Sequence, residues 1–246
     1  MKTPKKVVSL KRIDFQSMQD KVYEQIRDVL MRGGFEPGQK VSSRKLAAVL
    51  GTSDMPVRAA LGRLLAEGAL VQNANGTFAV PLISQRKFHE VMTLRAMLEG
   101  EATRQACGHI NRAGFTELHR YSAGLATAIE HNRIDDYLDY NQRLKFTIYR
   151  HSSSQTLRNM IQLLWLQAGP FLRHLNQGLE QMVRANFHDE AIEALEKGDS
   201  SAAAAAISRD ILAGMAYLEE HSHFMPEEEP VTGEKDAGGL HVERIR

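Results

Sequence analysis

Four polar residues in the second half of the chain have a spacing that could build a binding site. Asn141 and Lys145 are four residues apart, and residues with this spacing share one face of a helix. His188 lies ten residues before a turn at 198–199 and Asp210 lies eleven residues after it, so in two antiparallel helices they reach about the same height. We therefore predict a polar cluster inside a helical bundle. The alternative is a lysine and an aspartate on separate solvated faces.

Lys145 decides what chemistry this cluster could perform. A charged ammonium group donates hydrogen bonds and has no lone pair, so it attracts an anion and cannot coordinate a metal ion. Asp210 could pair with Lys145, and Arg95 could reach the same interior from an earlier helix. We predict that a small anion binds there, directly to Lys145 and Arg95. The predicted residues of this binding site are Arg95, Asn141, Lys145, His188 and Asp210.

Two sets of residues resemble catalytic groups by type alone. His188 with Asp210 could act as an acid–base pair, and Ser152–Ser154 beside His151 could supply a nucleophile. A catalytic triad needs a base that a third group orients, and nothing in the spacing provides that orientation. Serines at such positions are typical of helix caps. We predict that the protein is not an enzyme.

The segment Ser42–Leu65 predicts two short helices joined by a tight turn. Ser42 or Ser43 caps the first helix, Gly51 ends it in a left-handed conformation, and side chains of residues 52–54 cap the second. Pro56 then falls in the first turn of the second helix, where a missing N–H is tolerated. Four residues of this helix would face inward: Val57, Leu61, Leu64 and Leu65. Six would face outward: Asp54, Met55, Arg58, Ala59, Gly62 and Arg63.

The surroundings of this segment favour a winged helix-turn-helix. A helix beginning at Ser17 would precede it, with an apolar face made of Val22, Ile26, Val29 and Leu30. The segment 69–80 follows it, and Asn75-Gly76 is a strong signal for a two-residue hairpin turn. A hairpin at this place would form the wing.

From Ser84 to about His223 the pattern is helical. Six amphipathic stretches follow one another at roughly 84–108, 111–131, 134–152, 155–176, 178–197 and 199–222, with short breaks such as Gly178. Connections this short force antiparallel neighbours. The predicted fold class is mainly α: an N-terminal winged helix-turn-helix domain with a small β-hairpin, and a C-terminal all-helical bundle of about six helices. The predicted domains are a mobile basic arm (1–16), the winged-helix domain (17–82), the helical domain (83–224) and a disordered tail (225–246).

Charge and composition support a DNA-binding protein. Residues 1–80 hold 13 Lys and Arg against 7 Asp and Glu, a balance of +6, whereas residues 81–246 hold 18 against 23, a balance of −5. A basic first third is typical of a domain that binds a polyanion. The single cysteine, Cys107, cannot form an internal disulfide, and neither a signal peptide nor a membrane-spanning run is recognisable. We expect a cytoplasmic protein that does not bind a membrane.

The first domain resembles the DNA-binding domain of the GntR family of bacterial transcription regulators. The resemblance covers residues 19–82 without a gap and lies in VYEQIRDVLMRGGFEPGQKVSSRKLAAVLGTS, PVRAALGRLLAEGALV and NGTFAV. It implies that Arg44 and Arg58 contact DNA and that the wing tip enters the minor groove. Asp54 stands where the family usually has arginine, so it would weaken binding, cap the helix or accept from a cytosine amino group. The predicted DNA-binding residues are Arg44, Ser53, Asp54, Arg58, Arg63, Asn75, Gly76 and Thr77.

The second domain is similar to the FCD ligand-binding domain of the FadR-type branch. LRAMLEGEA at 94–102 and HDEAIEALEKGDSSAAAAAI at 188–207 carry this similarity, and six helices would suggest the VanR-like subgroup. The resemblance implies a divalent metal held by one Asp and three His. Here those positions fall on Asn141, Lys145, His188 and Asp210, so we predict no metal and no other cofactor.

Two functions from different classes are compatible with these patterns. The first is a homodimeric repressor that binds double-stranded operator DNA and is released by a small carboxylate-type effector bound in the helical domain. The second is a ligand-independent DNA-binding repressor whose pocket has lost both metal and effector.

Overall fold

The computed structural model describes residues 18–177 and 186–227. The predicted basic arm, the cap at Ser17, the break at Gly178 and residues 228–246 of the predicted tail lie outside the described residues. The first domain has the elements α1 (Met18–Met31), β1 (Lys40–Val41), α2 (Ser43–Leu50), α3 (Asp54–Ala66), β2 (Val71–Gln72) and β3 (Phe78–Ala79). The second has α4 (Gln85–Ala106), α5 (Arg112–Glu130), α6 (Ile134–Tyr149), α7 (Gln155–Leu172), a 3-10 helix (Arg173–Gln177), α8 (Phe187–Glu196) and α9 (Ser200–His221).

Local signals place the ends of the two short helices where they were predicted. The Ser42 hydroxyl accepts a hydrogen bond from the Lys45 N–H, and Gly51 ends α2 with φ of 62°. Helix α3 begins at Asp54, so Pro56 lies in its first turn. Val57, Leu61 and Leu64 are buried as predicted, and Leu65 packs against the same core. The helix-turn-helix prediction is confirmed.

Two details of the predicted helices are wrong. Val29 is 36% exposed, because Tyr23 and Met31 take the buried positions of α1 instead. Met31 is needed there because α1 packs against α3 on one side and against α7 on another. Ser53 occupies the cap position of α3, but its side chain makes no capping hydrogen bond within the described part of the chain.

The wing is a three-stranded antiparallel sheet in the order β1-β3-β2, and its turn differs from the predicted one. The Asn73 N–H donates to the Thr77 carbonyl at 2.9 Å, and the Gly76 N–H donates to the Asn73 carbonyl at 2.8 Å. Residues 74–76 therefore form a three-residue loop with Gly76 in the left-handed conformation at φ of 79°. The two-residue turn at Asn75-Gly76 is wrong by one residue. Strand β1 was not predicted, because two residues are too few to show alternation.

Helix α4 lies at the centre of the helical domain, between α9 and α7. The alanine run of α9 supplies a flat surface for it, with Ala203, Ala204 and Ala206 buried. A Cβ at Gly100 would lie 2.6 Å from the Ser208 hydroxyl, so α4 and α9 approach closely here. The six α-helices described in this half, followed in order by short connections, confirm a helical bundle.

The predicted disordered tail begins too early at 225. The Met225 N–H donates to the Ile83 carbonyl at 3.0 Å, and the Glu227 carboxylate accepts from the Arg86 N–H at 3.0 Å. These contacts hold residues 225–227 against the start of α4. Backbone pairing of this kind is invisible to composition, which was the basis of the prediction.

The two domains meet where a glycine of the helical domain packs directly on the backbone of the winged-helix domain. Gly169 of α7 lies against the end of α1, where a Cβ at position 169 would lie 2.4 Å from the Leu30 carbonyl oxygen and 2.7 Å from the Met31 Cα. Gly33 lies against Arg173 just beyond α7. Ion pairs surround this contact: Arg32 with Asp139 at 2.5 Å, and Arg173 with Asp135 at 2.7 Å. The position of α1 is therefore fixed by backbone packing on α7.

We expect Gly169→Ala to destabilise the protein by about 1–3 kcal/mol, because the methyl group would overlap the backbone of α1. Urea unfolding of the full chain measures this loss. The matched control is Gly62→Ala, since a Cβ at position 62 has no neighbouring atom within 4 Å. The control should stabilise the protein by up to about 1 kcal/mol through helix propensity. Equal effects of the two substitutions would contradict the close packing.

Candidate nucleic-acid interface and effector site

The outer face of α3 carries the candidate DNA contacts of the recognition helix. Arg58 is exposed, and Met55 is 79% exposed beside it. Arg63 also lies on the surface, but its Nε donates to Glu67 at 3.0 Å and its guanidinium lies 3.6 Å from the centre of the Tyr23 ring. Arg63 is thus held against α1, whereas Arg58 makes no side-chain hydrogen bond or ion pair with any described residue. Arg44 is exposed on α2, in the first helix of the pair.

Asp54 has an unusual environment at the start of α3. Its Oδ1 is buried and has no hydrogen-bond partner among the described residues. Ser53, the cap residue before it, is exposed. The side chain of Asp54 therefore faces outward only in part, and its buried oxygen is a hydrogen-bond acceptor that no described group donates to. Such an atom is costly unless something outside the chain donates to it.

The wing tip is braced by hydrogen bonds within the loop. The Asn75 Oδ1 accepts from the Thr77 N–H at 3.1 Å, and the Gln72 side-chain amide donates to the Gly76 carbonyl at 3.1 Å. Asn75 and Gly76 are exposed, and Thr77 is half-buried. Gln72 was not among the predicted residues, and a glutamine four residues before the turn glycine was the available signal.

The structure brings the predicted polar cluster together. Lys145 Nζ lies 2.6 Å from Asp210 Oδ2, and the His188 Nε2 donates to the Asn141 Oδ1 at 3.0 Å. His188 Nε2 lies 3.8 Å from Asp210 Oδ2, so α8 and α9 do place these residues at the same height. The side chains of Lys145 and Asp210 are 2% and 12% exposed. The solvated-surface alternative is excluded by this burial.

Burial and charge act in opposite directions on the cluster. Burial would raise the pKa of Asp210, but the neighbouring Lys145 and His188 outweigh it and hold that pKa below its ordinary value of 3.8. Burial lowers the pKa of His188 from 6.5, and the nearby Lys145 lowers it further, although Asp210 opposes them. Near neutral pH Asp210 is therefore an anion and His188 is a neutral imidazole.

Arg95 reaches the cluster only in part. It lines the same small cavity as Lys145 and Asp210, and its charge contributes to the lowered pKa of Asp210. However, its Nε donates to Glu99 at 2.8 Å, and its guanidinium lies 4.2 Å from the centre of the Trp165 ring. Arg95 is thus committed to a second buried network that was not predicted from the sequence. The signal for it was the spacing of four residues between Arg95 and Glu99.

The cavity beside this cluster has a volume of about 20 Å³. That volume holds about one water molecule and no organic acid. Tyr137 and Leu172 form part of its wall.

In residues 18–177 and 186–227, no group of three or more His, Cys, Asp or Glu side chains is arranged to hold a metal ion.

The titration of His188 predicts how stability depends on pH. The pKa of His188 is lower in the folded protein than its ordinary 6.5, so below pH 6.5 the unfolded chain binds more protons. The free energy of unfolding should fall as pH falls from 6.5. The Asp210 contribution is present above pH 3.8 and is lost below it, because the folded pKa is lower.

Urea unfolding between pH 7 and pH 5 tests this prediction. His188→Gln should make the curve shallower in this range, because it removes one of the two described histidines whose pKa is lowered, the other being His151. The matched control is His131→Gln, which changes a histidine that is exposed in the folded protein. A wild-type slope in His188→Gln would show that His188 is not the titrating group.

Comparison with known proteins agrees with this architecture. Residues 18–80 match the family described as "Bacterial regulatory proteins, gntR family", and residues 90–213 match the FCD domain. Within the described residues, no helix combines the length and apolarity needed to cross a bilayer. The helix count that would decide the VanR-like subgroup includes residues 178–185, outside the described part, so the subgroup stays a prediction.

Several known regulators are similar to this chain. The HTH-type transcriptional regulator McbR of Escherichia coli (strain K12) is 30% identical over 158 residues, 64% of this chain and 72% of that protein. A "Probable D-xylose utilization operon transcriptional repressor" of Paenarthrobacter nicotinovorans is 24% identical over 206 residues, 82% of this chain and 89% of that protein. The solved structure of E. coli McbR/YncC has a TM-score of 0.79 at 25% identity and covers 84% of this chain and 99% of its own. The chain therefore belongs to the GntR family, in the FadR-type branch with an FCD domain, and it is a DNA-binding transcription regulator and not an enzyme.

Proposed function

We propose that the protein represses transcription as a homodimer on a two-fold operator and is released by a small organic acid bound in the helical domain. The observation that carries the effector part is Lys145, a buried cation paired to the single carboxylate of Asp210. A ligand carboxylate has the same chemistry as Asp210 and can take its place. The observation that carries the DNA part is the exposed Arg58 on α3.

Two recognition helices are needed for a specific genomic site. A single winged helix contacts few base pairs, and a two-fold dimer doubles both the base contacts and the phosphate contacts. In this arrangement α3 would lie in the major groove with Arg58 at the bases, and the loop 74–76 would reach the minor groove. Arg44 would contact the backbone from α2. Its exposed position at the start of that helix supports this role.

We assign Asp54 to base reading and not to helix capping. Its Oδ1 has no donor within the described chain, so no capping bond holds this oxygen, and rotation of the partly exposed side chain would bring it to the groove. In the major groove the cytosine amino group donates, and carboxylates accept from it. The operator should therefore differ at one base pair from those that family members with arginine here recognise.

Release would follow from a population shift between two positions of α9. An acid that pairs with Lys145 has to displace Asp210 and enlarge a cavity that is now about 20 Å³. Leu172, which follows the contact of α7 with α1, forms part of that cavity wall. Enlarging the cavity would therefore press on the segment that holds α1. Only an effector with different affinities for the two positions can shift them.

The second candidate function is ligand-independent repression, and the same cluster favours it in one respect. Lys145 is neutralised by Asp210, and His188 is satisfied by Asn141, so the cluster is complete without a ligand.

We also propose that the polar cluster takes no divalent metal. Lys145 would repel the ion, and only His188 and Asp210 offer ligand atoms of the kind that a divalent metal prefers.

We expect Arg58→Ala to weaken operator binding about fivefold or more, because a base contact by arginine is worth about 1–3 kcal/mol. The DNA would be selected from random sequence by the wild-type protein, and affinity would be measured over a range of salt concentrations. Arg209→Ala is the matched control, with the same charge change at a side chain that is 54% exposed on α9. Equal affinities for the two variants would remove Arg58 from the interface.

We expect one or more small carboxylic acids to raise the unfolding temperature of the protein and to lower its operator affinity. At a hundred times the dissociation constant, an acid adds about 2.7 kcal/mol of stability. Asp210→Asn should bind the active acid more tightly, because the competing carboxylate is gone. A panel of mono- and dicarboxylic acids that leaves both the unfolding temperature and DNA binding unchanged would favour the ligand-independent repressor.

A further inference from the structure

A cleft between the two domains has the size of a ligand site. Its volume is about 350 Å³, within the common range of about 300–1,000 Å³ for small-molecule sites. One wall is α1 with the residues just after it, and the other is formed by α6 and α7. We call this space the interdomain cleft. Its charged and aromatic lining consists of Arg27, Asp28, Arg32, Asp139, Arg143 and Phe146.

Positive charge exceeds negative charge in the interdomain cleft. Among its lining residues, three arginines face two aspartates. Arg27 pairs with Asp28 at 2.9 Å. Asp139 forms ion pairs with two arginines. Its Oδ1 lies 2.5 Å from Arg32 Nη1, and its Oδ2 lies 2.6 Å from Arg143 Nε. One guanidinium charge is therefore not balanced by a carboxylate lining the cleft.

The donors around this surplus charge come from both domains. Arg32 follows α1 and Arg143 lies on α6, yet both point at the carboxylate of Asp139. A guanidinium group has five N–H donors in a planar fork that fits an oxyanion. Arg143 is 53% exposed and Arg32 is 34% exposed, so both can take a further oxyanion from solvent while they hold Asp139. Phe146, half-buried, adds an apolar wall.

We propose that the interdomain cleft binds a small organic anion, with its carboxylate or phosphate group between Arg32 and Arg143 and its carbon atoms against Phe146. This site is separate from the cluster at Lys145. The bound anion joins the winged-helix domain to the helical domain by charge-assisted hydrogen bonds. Because α1 packs on α3, it thereby stabilises one orientation of the recognition helix relative to α6.

Isothermal titration calorimetry on the full chain tests the proposal at constant ionic strength. The probes are succinate and citrate as carboxylates, and glucose 6-phosphate as a phosphate ester, each in a separate titration. We expect at least one probe to bind. Arg143→Gln should weaken that binding about tenfold or more, because it removes a charged hydrogen-bond donor. Asp139→Asn should strengthen it severalfold, because the competing carboxylate is lost.

Two comparisons distinguish binding in the interdomain cleft from binding by surface charge and from binding at Lys145. Arg209→Gln removes an equally exposed arginine on α9 and should leave the binding of the probe unchanged. If Arg209→Gln weakens binding as much as Arg143→Gln, the anion is held by general surface charge and the proposal is wrong. It is also wrong if no probe binds, or if the affinity responds to Asp210→Asn and not to Arg143→Gln. The last result would place the anion at Lys145 and would support the effector site proposed above.

Discussion

The carboxylate of Glu99 is fully buried, and three helices of the helical domain converge on it. The Arg95 Nε donates to it at 2.8 Å from the same helix, the Trp165 Nε1 at 2.9 Å from α7, and the Tyr149 hydroxyl at 2.5 Å from α6. A buried carboxylate is costly unless such donors surround it. Burial, together with the charge of Glu99, accordingly raises the pKa of Tyr149 well above its ordinary value. The packing of α4, α6 and α7 is therefore constrained by the need to satisfy one side chain.

This constraint reaches the DNA-binding domain through α7. Trp165 is fixed by Glu99, and one turn later Gly169 lies directly against the backbone of α1. Leu172, the last residue of the same helix, lines the cavity at Lys145, and Arg173 just after it pairs with Asp135. A shift of α7 would therefore be felt at the polar cluster and at α1 together. If the proposed effector binds at the polar cluster, α7 is the element that would carry its effect to α1.

The sequence was informative wherever a local rule decides the conformation. Ser42, Gly51 and Pro56 fixed the two short helices, and helical spacing placed Lys145, His188 and Asp210 in one cluster. Most of the larger failures come from packing between distant segments. Nothing local distinguishes the buried pair Arg95 and Glu99 from an ordinary surface pair with the same spacing. The interdomain cleft exists only because two domains meet, and the hold on residues 225–227 comes from backbone pairing with the start of α4.

The chain contains a single tryptophan, and that tryptophan is Trp165. Its indole N–H donates to Glu99, and the guanidinium of Arg95 lies over its ring. Because the emission of an indole depends on the charges and hydrogen bonds around it, the intrinsic fluorescence of this protein comes from one known place in the helical domain. The winged-helix domain contributes no tryptophan signal of its own. The molecule thus carries a built-in optical reporter for the state of its helical core, and DNA binding can be followed separately with a label on the DNA.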